Sequence, residues 1–116
     1  MIPRAFFRDK SVQAENRMQF RIEYAPATIA HLRALTARQQ SIVLDGVARY
    51  LSVDPMVETR NRKPMRPNPV APWELRLGNL RVYFDVVTEP EPVVVVLAVG
   101  VKEPNAVRIG KAVIDL

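Results

Sequence analysis

The residues best suited to chemistry lie between Arg60 and Arg81. Arg60, Arg62, Lys63, Arg66, Arg76 and Arg81 stand there against a single acid, Glu74. This stretch carries a net +5, the net charge of the whole 116-residue chain, so the remainder balances. Clustered cations attract polyanions by releasing their condensed counterions, and they steer the encounter. An anionic partner, either nucleic acid or an acidic protein, is the expected use of such a cluster. A solvated basic loop that only aids solubility is the plain alternative.

Part of this charge falls on two segments that alternate with period two, the mark of strands with distinct faces. Trp73, Leu75 and Leu77 share one face with Leu80, Val82, Phe84 and Val86 and are expected to pack under helices. The opposite face shows Glu74 and Arg76 from one strand, and Arg81, Tyr83 and Asp85 from its neighbour. A carboxylate set among arginines can bind phosphate or move a proton beside one. The same residues can equally form a cross-strand charge ladder, worth a few tenths of a kcal/mol up to about 1 kcal/mol. Strand pattern leaves both readings open.

Other chemistries lack their residues. There is no cysteine, hence no disulfide framework and no thiolate, which suits a reducing cytosol. The only histidine, His31, lies among alanines and leucines and reads as a helix-surface or packing residue. A zinc site is not expected from one histidine and no cysteine. No Gly-rich phosphate loop, nucleophile elbow or dinucleotide fingerprint occurs. No metal or other cofactor is expected, so any reaction must run on arginine, lysine, tyrosine and glutamate.

The elements that position these residues belong to one α+β domain: 116 residues, 48% hydrophobic, allow one modest core. Residues 1–17 are polar and aperiodic, a flexible N-terminal arm, and Met18 is a candidate translation start. The only early apolar cluster, Ala5-Phe6-Phe7, is too short for a signal peptide or a spanning helix. A cytoplasmic location with no membrane contact is therefore expected. Phe20, Ile22 and Tyr24 alternate with Arg21 and Glu23 in a half-buried strand over residues 19–24. Pro26 suits the first turn of a helix whose face is Ile29, Leu32 and Leu35. Thr36 and Gln39 form a capping box that starts a second helix, striped by Val43, Val47, Tyr50 and Leu51 and broadened by Ile42 and Leu44. Gly46 weakens that helix by up to about 1 kcal/mol. The two helices are expected to form an antiparallel hairpin lying on a sheet.

Residues 54–72 read as an irregular loop stiffened by Pro55, Pro64, Pro67, Pro69 and Pro72. Strands over 73–77 and 80–87 follow, joined by the two-residue turn Gly78-Asn79. The unbroken valines of 93–99 predict a central strand buried on both faces. Beyond Lys102 a short strand around Val107 to Ile109 is the most that the pattern supports.

This order of elements resembles the RelE/ParE toxins of type II toxin–antitoxin modules. The residues that carry the resemblance are Phe20-Arg21-Ile22-Glu23-Tyr24 with Pro26, and Trp73-Glu74-Leu75-Arg76. Leu80-Arg81-Val82-Tyr83-Phe84-Asp85-Val86 and Val95-Val96-Leu97-Ala98-Val99-Gly100 with Lys102 complete it. It spans Met18 to about Lys111. The resemblance implies an N-terminal strand and an α-helical hairpin packed on a small antiparallel sheet, residues 18–116 forming the toxin domain. Its RelE branch cleaves messenger RNA on the ribosome without metal, the 2′-hydroxyl attacking the adjacent phosphate. That chemistry needs a proton acceptor, cations for the crowded phosphorane and a proton for the leaving oxygen. By resemblance Arg81 and Lys102 take the phosphate-binding places, Arg76 a basic strand place, and the Arg60–Arg66 loop, with Arg62 and Lys63, the segment against ribosomal RNA. Arg108 stands where those nucleases keep a C-terminal tyrosine, and is counted with the RNA-binding residues. Glu74 stands where a lysine often precedes the Leu-Arg pair, and is the candidate proton acceptor. Tyr83 is on the same face but not at the matching position.

Three functions follow as expectations. The first is a ribosome-dependent endoribonuclease that inhibits translation and is silenced by a cognate antitoxin. The second is a ParE-like, non-enzymatic inhibitor of DNA gyrase. The third is a catalytically degenerate member kept as an interaction module. An antitoxin helix or strand covering the apolar grooves and the basic face is the expected mode of neutralisation.

Overall fold

The computed structural model describes residues 18–115, and the arm expected over 1–17 lies outside them. The chain begins with strand β1 (Arg21–Tyr24), whose alternation turns Ile22 and Tyr24 toward the core, next to the buried Phe20. Helix α1 (Ala27–Arg33) follows Pro26, and helix α2 (Ala37–Leu51) starts after three intervening residues. Thr36 caps α2 as its spacing predicts: the Gln39 N–H donates to Thr36 Oγ1 at 3.1 Å, and the Thr36 N–H donates to Gln39 Oε1 at 2.9 Å. Gln40 then donates to the carbonyls of Leu32 and Leu35, which ties the end of α1 to the start of α2.

The helices cover one face of a seven-stranded sheet. After α2 come β2 (Arg62–Pro64), β3 (Trp73–Leu77), β4 (Leu80–Val87), β5 (Val93–Glu103), β6 (Ala106–Ile109) and β7 (Ala112–Ile114). They lie in that spatial order, each antiparallel to the next. β1 departs from this pattern by pairing in parallel with Val93–Val96 of β5. The α+β architecture, the two hairpin strands and the central position of β5 agree with the sequence reading.

The core under the helices holds Val43, Val47 and Leu51 of α2 against Leu75, Val82, Phe84, Val94, Val96 and Val99. All of these side chains are fully buried, each contributing about 1.5–3 kcal/mol by leaving water. A smaller cluster on the opposite face contains Tyr83, Ala98, Val107 and Ile109, roofed by Ala71 and Met65 of the proline-rich loop. The shift between the clusters comes from a bulge in β5. Tyr83 pairs with Ala98 but Phe84 pairs with Val96, so Leu97 is an extra residue. The bulge puts Leu97 and Ala98 on the loop side while Val96 and Val99 both stay under the helices.

Four local expectations are corrected. The 54–72 segment is not wholly irregular, because Arg62–Pro64 pairs with Trp73–Leu75 as β2. The short strand expected around Val107 to Ile109 is β6, but it pairs with a further strand, β7, that was not expected, and β5 runs on to Glu103. On α1 the inward residue is Thr28 and not Ile29. Thr28 is fully buried, its hydroxyl donating to the Ala25 carbonyl at 2.6 Å, whereas Ile29 is exposed. Ile42 and Leu44 are likewise exposed and do not broaden the stripe of α2. No helix is long and apolar enough to cross a membrane among the described residues.

His31 has a structural task. The second edge of β5 is shared by β1 at Val93–Val96 and β6 at Gly100–Glu103. In the gap between them the Val99 N–H donates to His31 Nδ1 at 3.3 Å. Burial lowers the His31 pKa, consistent with a neutral ring that can accept this bond.

Candidate functional site

The loop-side face of the β3–β4 hairpin is not flat. The chain from Lys63 to Pro69 rises beside it, and the β5–β6 turn with the start of β6 and Asp115 closes the far side, leaving a groove of about 760 Å³. Lys63, Arg66, Arg76, Arg81 and Lys102 line it together with Glu74 and Asp115. Five cations against two carboxylates make the groove net +3.

Cross-strand register explains how these charges coexist. Arg76 and Arg81 sit directly opposite one another, a like-charge pairing that alone would push the strands apart. Glu74, two residues from Arg76 and itself paired with Tyr83, lies between them. Its Oε1 accepts from Arg76 Nε at 2.7 Å, and its Oε2 lies 4.0 Å from Arg81 Nε. The Glu74 side chain is 11% exposed and that of Arg81 13%, whereas Arg76 is 49% exposed. Arg81 is oriented further by the hairpin turn, where Gly78 takes a φ of 63° at no steric cost. Its Nη1 donates to the carbonyls of Gly78 and Leu80 at 2.6 and 3.0 Å. These contacts use Nε and Nη1, and among the described residues Nη2 makes no hydrogen bond.

Lys102 reaches the groove from β5, just past Gly100. A side chain at Gly100 would meet the Arg108 carbonyl oxygen at 2.5 Å, so glycine is what lets β6 cross closely there. The Lys102 ammonium donates to the Glu103 and Pro104 carbonyls at 2.7 and 3.5 Å. Its charge is thereby held at the groove without an acidic partner among the described residues.

The loop wall depends on Asn68, which the sequence reading passed over. Its Nδ2 donates to the Arg66 and Ala71 carbonyls at 2.7 and 2.9 Å. Its Oδ1 accepts from the Val70 and Ala71 N–H groups at 2.8 and 3.1 Å. The signal was present: an asparagine between Pro67 and Pro69 is a turn former that bonds its own backbone. Asp115 was also missed, because a C-terminal acid carries no local pattern.

Tyr83 lies beneath the groove. Its side chain is fully buried, and its hydroxyl has no hydrogen-bond partner of acceptable geometry among the described residues. Burial, and then the Glu74 carboxylate across the strand, push the phenol well above its usual value of 10.0.

The structure thus brings together Glu74, Arg76, Arg81 and Lys102, with Lys63 and Arg66 from the basic loop. It does not bring in the other three basic residues. Arg62 turns back to α2, donating through Nη1 to the Tyr50 carbonyl and through Nε to the Val57 carbonyl at 3.1 Å. Arg108 pairs in register with Val101, which belongs to the helix-side core, and its guanidinium meets Glu103 at 3.3 Å. Arg60 lines a separate groove beside α2. One face of the sheet therefore presents Arg76, Arg81 and Lys102 to one groove, with the Glu74 carboxylate beside the two arginines.

No family model and no curated protein matches the chain. Among solved structures it is similar to a chain of the toxin–antitoxin complex RelBE2 from Mycobacterium tuberculosis. The TM-score is 0.63 and the identity 22%, over 73% of this chain and 93% of that one. At this identity the likeness defines the fold: the chain has a RelE-like α+β fold, with a basic groove on the face of the sheet away from the helices.

Proposed function

We propose that this chain is the toxin of a toxin–antitoxin pair and a metal-independent, ribosome-dependent messenger RNA endoribonuclease. The observation that carries the reading is the convergence of Arg76, Arg81 and Lys102 from three strands on one groove. Cations fixed before the reaction stabilise a dianionic phosphorane more than a mobile solvent shell can. In the step itself, the substrate's 2′-oxygen bonds to phosphorus and the bond to the 5′-oxygen breaks. Glu74 takes the hydroxyl proton after releasing Arg76, which then turns its full charge to the phosphate. The leaving oxygen takes its proton from water. A cognate antitoxin covers the groove until it is removed.

The test is induction of the chain alone in bacteria, with growth and transcript integrity followed together. Arrest with transcripts cut inside translated regions is expected, and is expected to be lost in Arg81→Ala. Because Arg81 also holds the turn, Lys102→Ala at an exposed side chain provides a second variant, expected to weaken cutting at least tenfold with an unchanged melting temperature. Full toxicity in both variants would sink the proposal.

One observation favours a second reading. Both Glu74 oxygens face guanidinium groups, so the ground state offers no free base. A non-cleaving toxin, such as a gyrase inhibitor, or an interaction module needs none. Arrest with intact transcripts and stalled gyrase identifies the first of these, and expression without growth defect identifies the second.

A further inference from the structure

A second groove, of about 860 Å³, opens where the β3 end of the hairpin meets α2. Its walls include Asp45, Arg49 and Tyr50 from α2, Arg60 and Asn61 from the loop, and Arg76. Arg49 and Arg60 oppose one carboxylate, Asp45, there, and Arg76 is shared with the first groove, where its guanidinium pairs with Glu74. The Arg49 guanidinium lies 5.3 Å from the centroid of the Tyr50 ring, which holds the cation at the groove. Arg49 and Arg60 are exposed and, among the described residues, form no salt bridge that would use up their charge.

The two grooves share one residue. Arg76 lines both, at the rim where the sheet ends. Its backbone is fixed there, the Arg76 N–H donating to the Asn61 carbonyl at 2.8 Å. A chain of phosphates leaving Arg81 and Lys102 can therefore pass over Arg76 and meet Arg60 and Arg49, with Asp45 the one acid on the second groove's wall. Gly78 lines the second groove as well, with open space where a side chain would stand. Sites for single-stranded nucleic acid track the backbone with a cationic groove of this kind.

We propose that the helix-side groove is a second nucleic-acid subsite. It binds the single-stranded nucleotides that flank the phosphate held in the loop-side groove, with Arg76 as the bridge and with Arg60 and Arg49, the latter positioned by the Tyr50 ring, on phosphates. This rests on the nucleic-acid reading of the first groove, and names how far its substrate extends.

The test is binding of fluorescent 2′-O-methyl RNA, which cannot be cleaved by 2′-hydroxyl attack, as a trimer and as a dodecamer over a range of salt. The double variant Arg49→Ala/Arg60→Ala is expected to lower dodecamer affinity at least fivefold and leave the trimer unchanged. The slope of log affinity against log salt should fall by about 1.4 for the dodecamer, because each phosphate contact on a single strand contributes roughly 0.7. Unchanged dodecamer affinity and slope would overturn the second subsite while leaving the first groove standing. Equal losses for both lengths would overturn it too, showing a general field effect instead of a track. Failure of the unaltered protein to bind either RNA would remove the nucleic-acid reading of both grooves.

Discussion

Tyr83 concentrates the residue-scale argument. A buried hydroxyl without a partner costs about 1–3 kcal/mol, and the sheet tolerates it because the ring fills the loop-side cluster. Tyr83→Phe keeps the ring and is expected to raise stability by about 1 kcal/mol in urea unfolding. A loss of that size would instead show a hydrogen bond to Glu74. The pH dependence has a definite sign. With the folded pKa raised above 10.0, the unfolded chain loses this proton first as pH rises. Stability from Tyr83 is therefore complete below pH 10 and declines above it. Tyr24, also raised by burial, contributes in the same direction. The fall in stability between pH 9 and pH 11 should be visibly shallower in Tyr83→Phe than in the unaltered protein. Equal falls would mean that Tyr83 ionises as freely in the folded chain as in the unfolded one.

At the scale of elements, β5 has the most crowded surroundings, with β4 on one edge and β1, His31 and β6 sharing the other. Gly100 marks the tightest place. Gly100→Ala would drive a methyl group into the Arg108 carbonyl, a backbone atom that cannot swing aside, and is expected to destabilise by about 1–3 kcal/mol. Thermal unfolding checks this, and an unchanged melting temperature would mean that β6 can retreat without loss. Gly46 differs in kind. A Cβ there would meet the ends of the Leu77 side chain at 2.6 and 2.9 Å, so this glycine lets the β3 end pack close to α2. The sequence reading saw only its helix-propensity cost. Two elements escaped that reading for definable reasons. β2 is three residues long and ends in a proline, and β7, also three residues long, follows the Gly110-Lys111 turn in a segment too short to show alternation, whereas β6 falls where a short strand was expected.

For the whole molecule, the charge balance of the loop-side groove is the property that matters to an anionic ligand. Asp115, near the C-terminus, returns to line a groove built from residues 63–107, and opposes any phosphate that enters. One charge a few ångströms away in solvent is worth about 1 kcal/mol, roughly fivefold in affinity. Asp115→Asn is expected to tighten RNA binding by about that factor at low salt, with the difference fading as salt screens it. Weaker or unchanged binding at low salt would mean that the carboxylate does not face the bound phosphates.

Local pattern was enough for whatever depends on neighbours in sequence. The alternation of Trp73–Leu77 and Leu80–Val87 settled which face carries Glu74, Arg76 and Arg81, because side chains in a strand must alternate. Thr36 and Gln39 settled where α2 begins, because a cap is built within four residues. The order of elements was enough to suggest the RelE-like fold. Tertiary structure alone decided what depends on distant partners. The parallel pairing of β1 with β5, the bulge at Leu97 and the close crossing at Gly100 follow from which strands meet, and no periodicity encodes that. It also divided the basic residues, sending Lys63 and Arg66 to Arg81 and Lys102, Arg62 to the Tyr50 carbonyl, and Arg108 to Glu103. Charge in a sequence has a position but no direction, and a groove needs both.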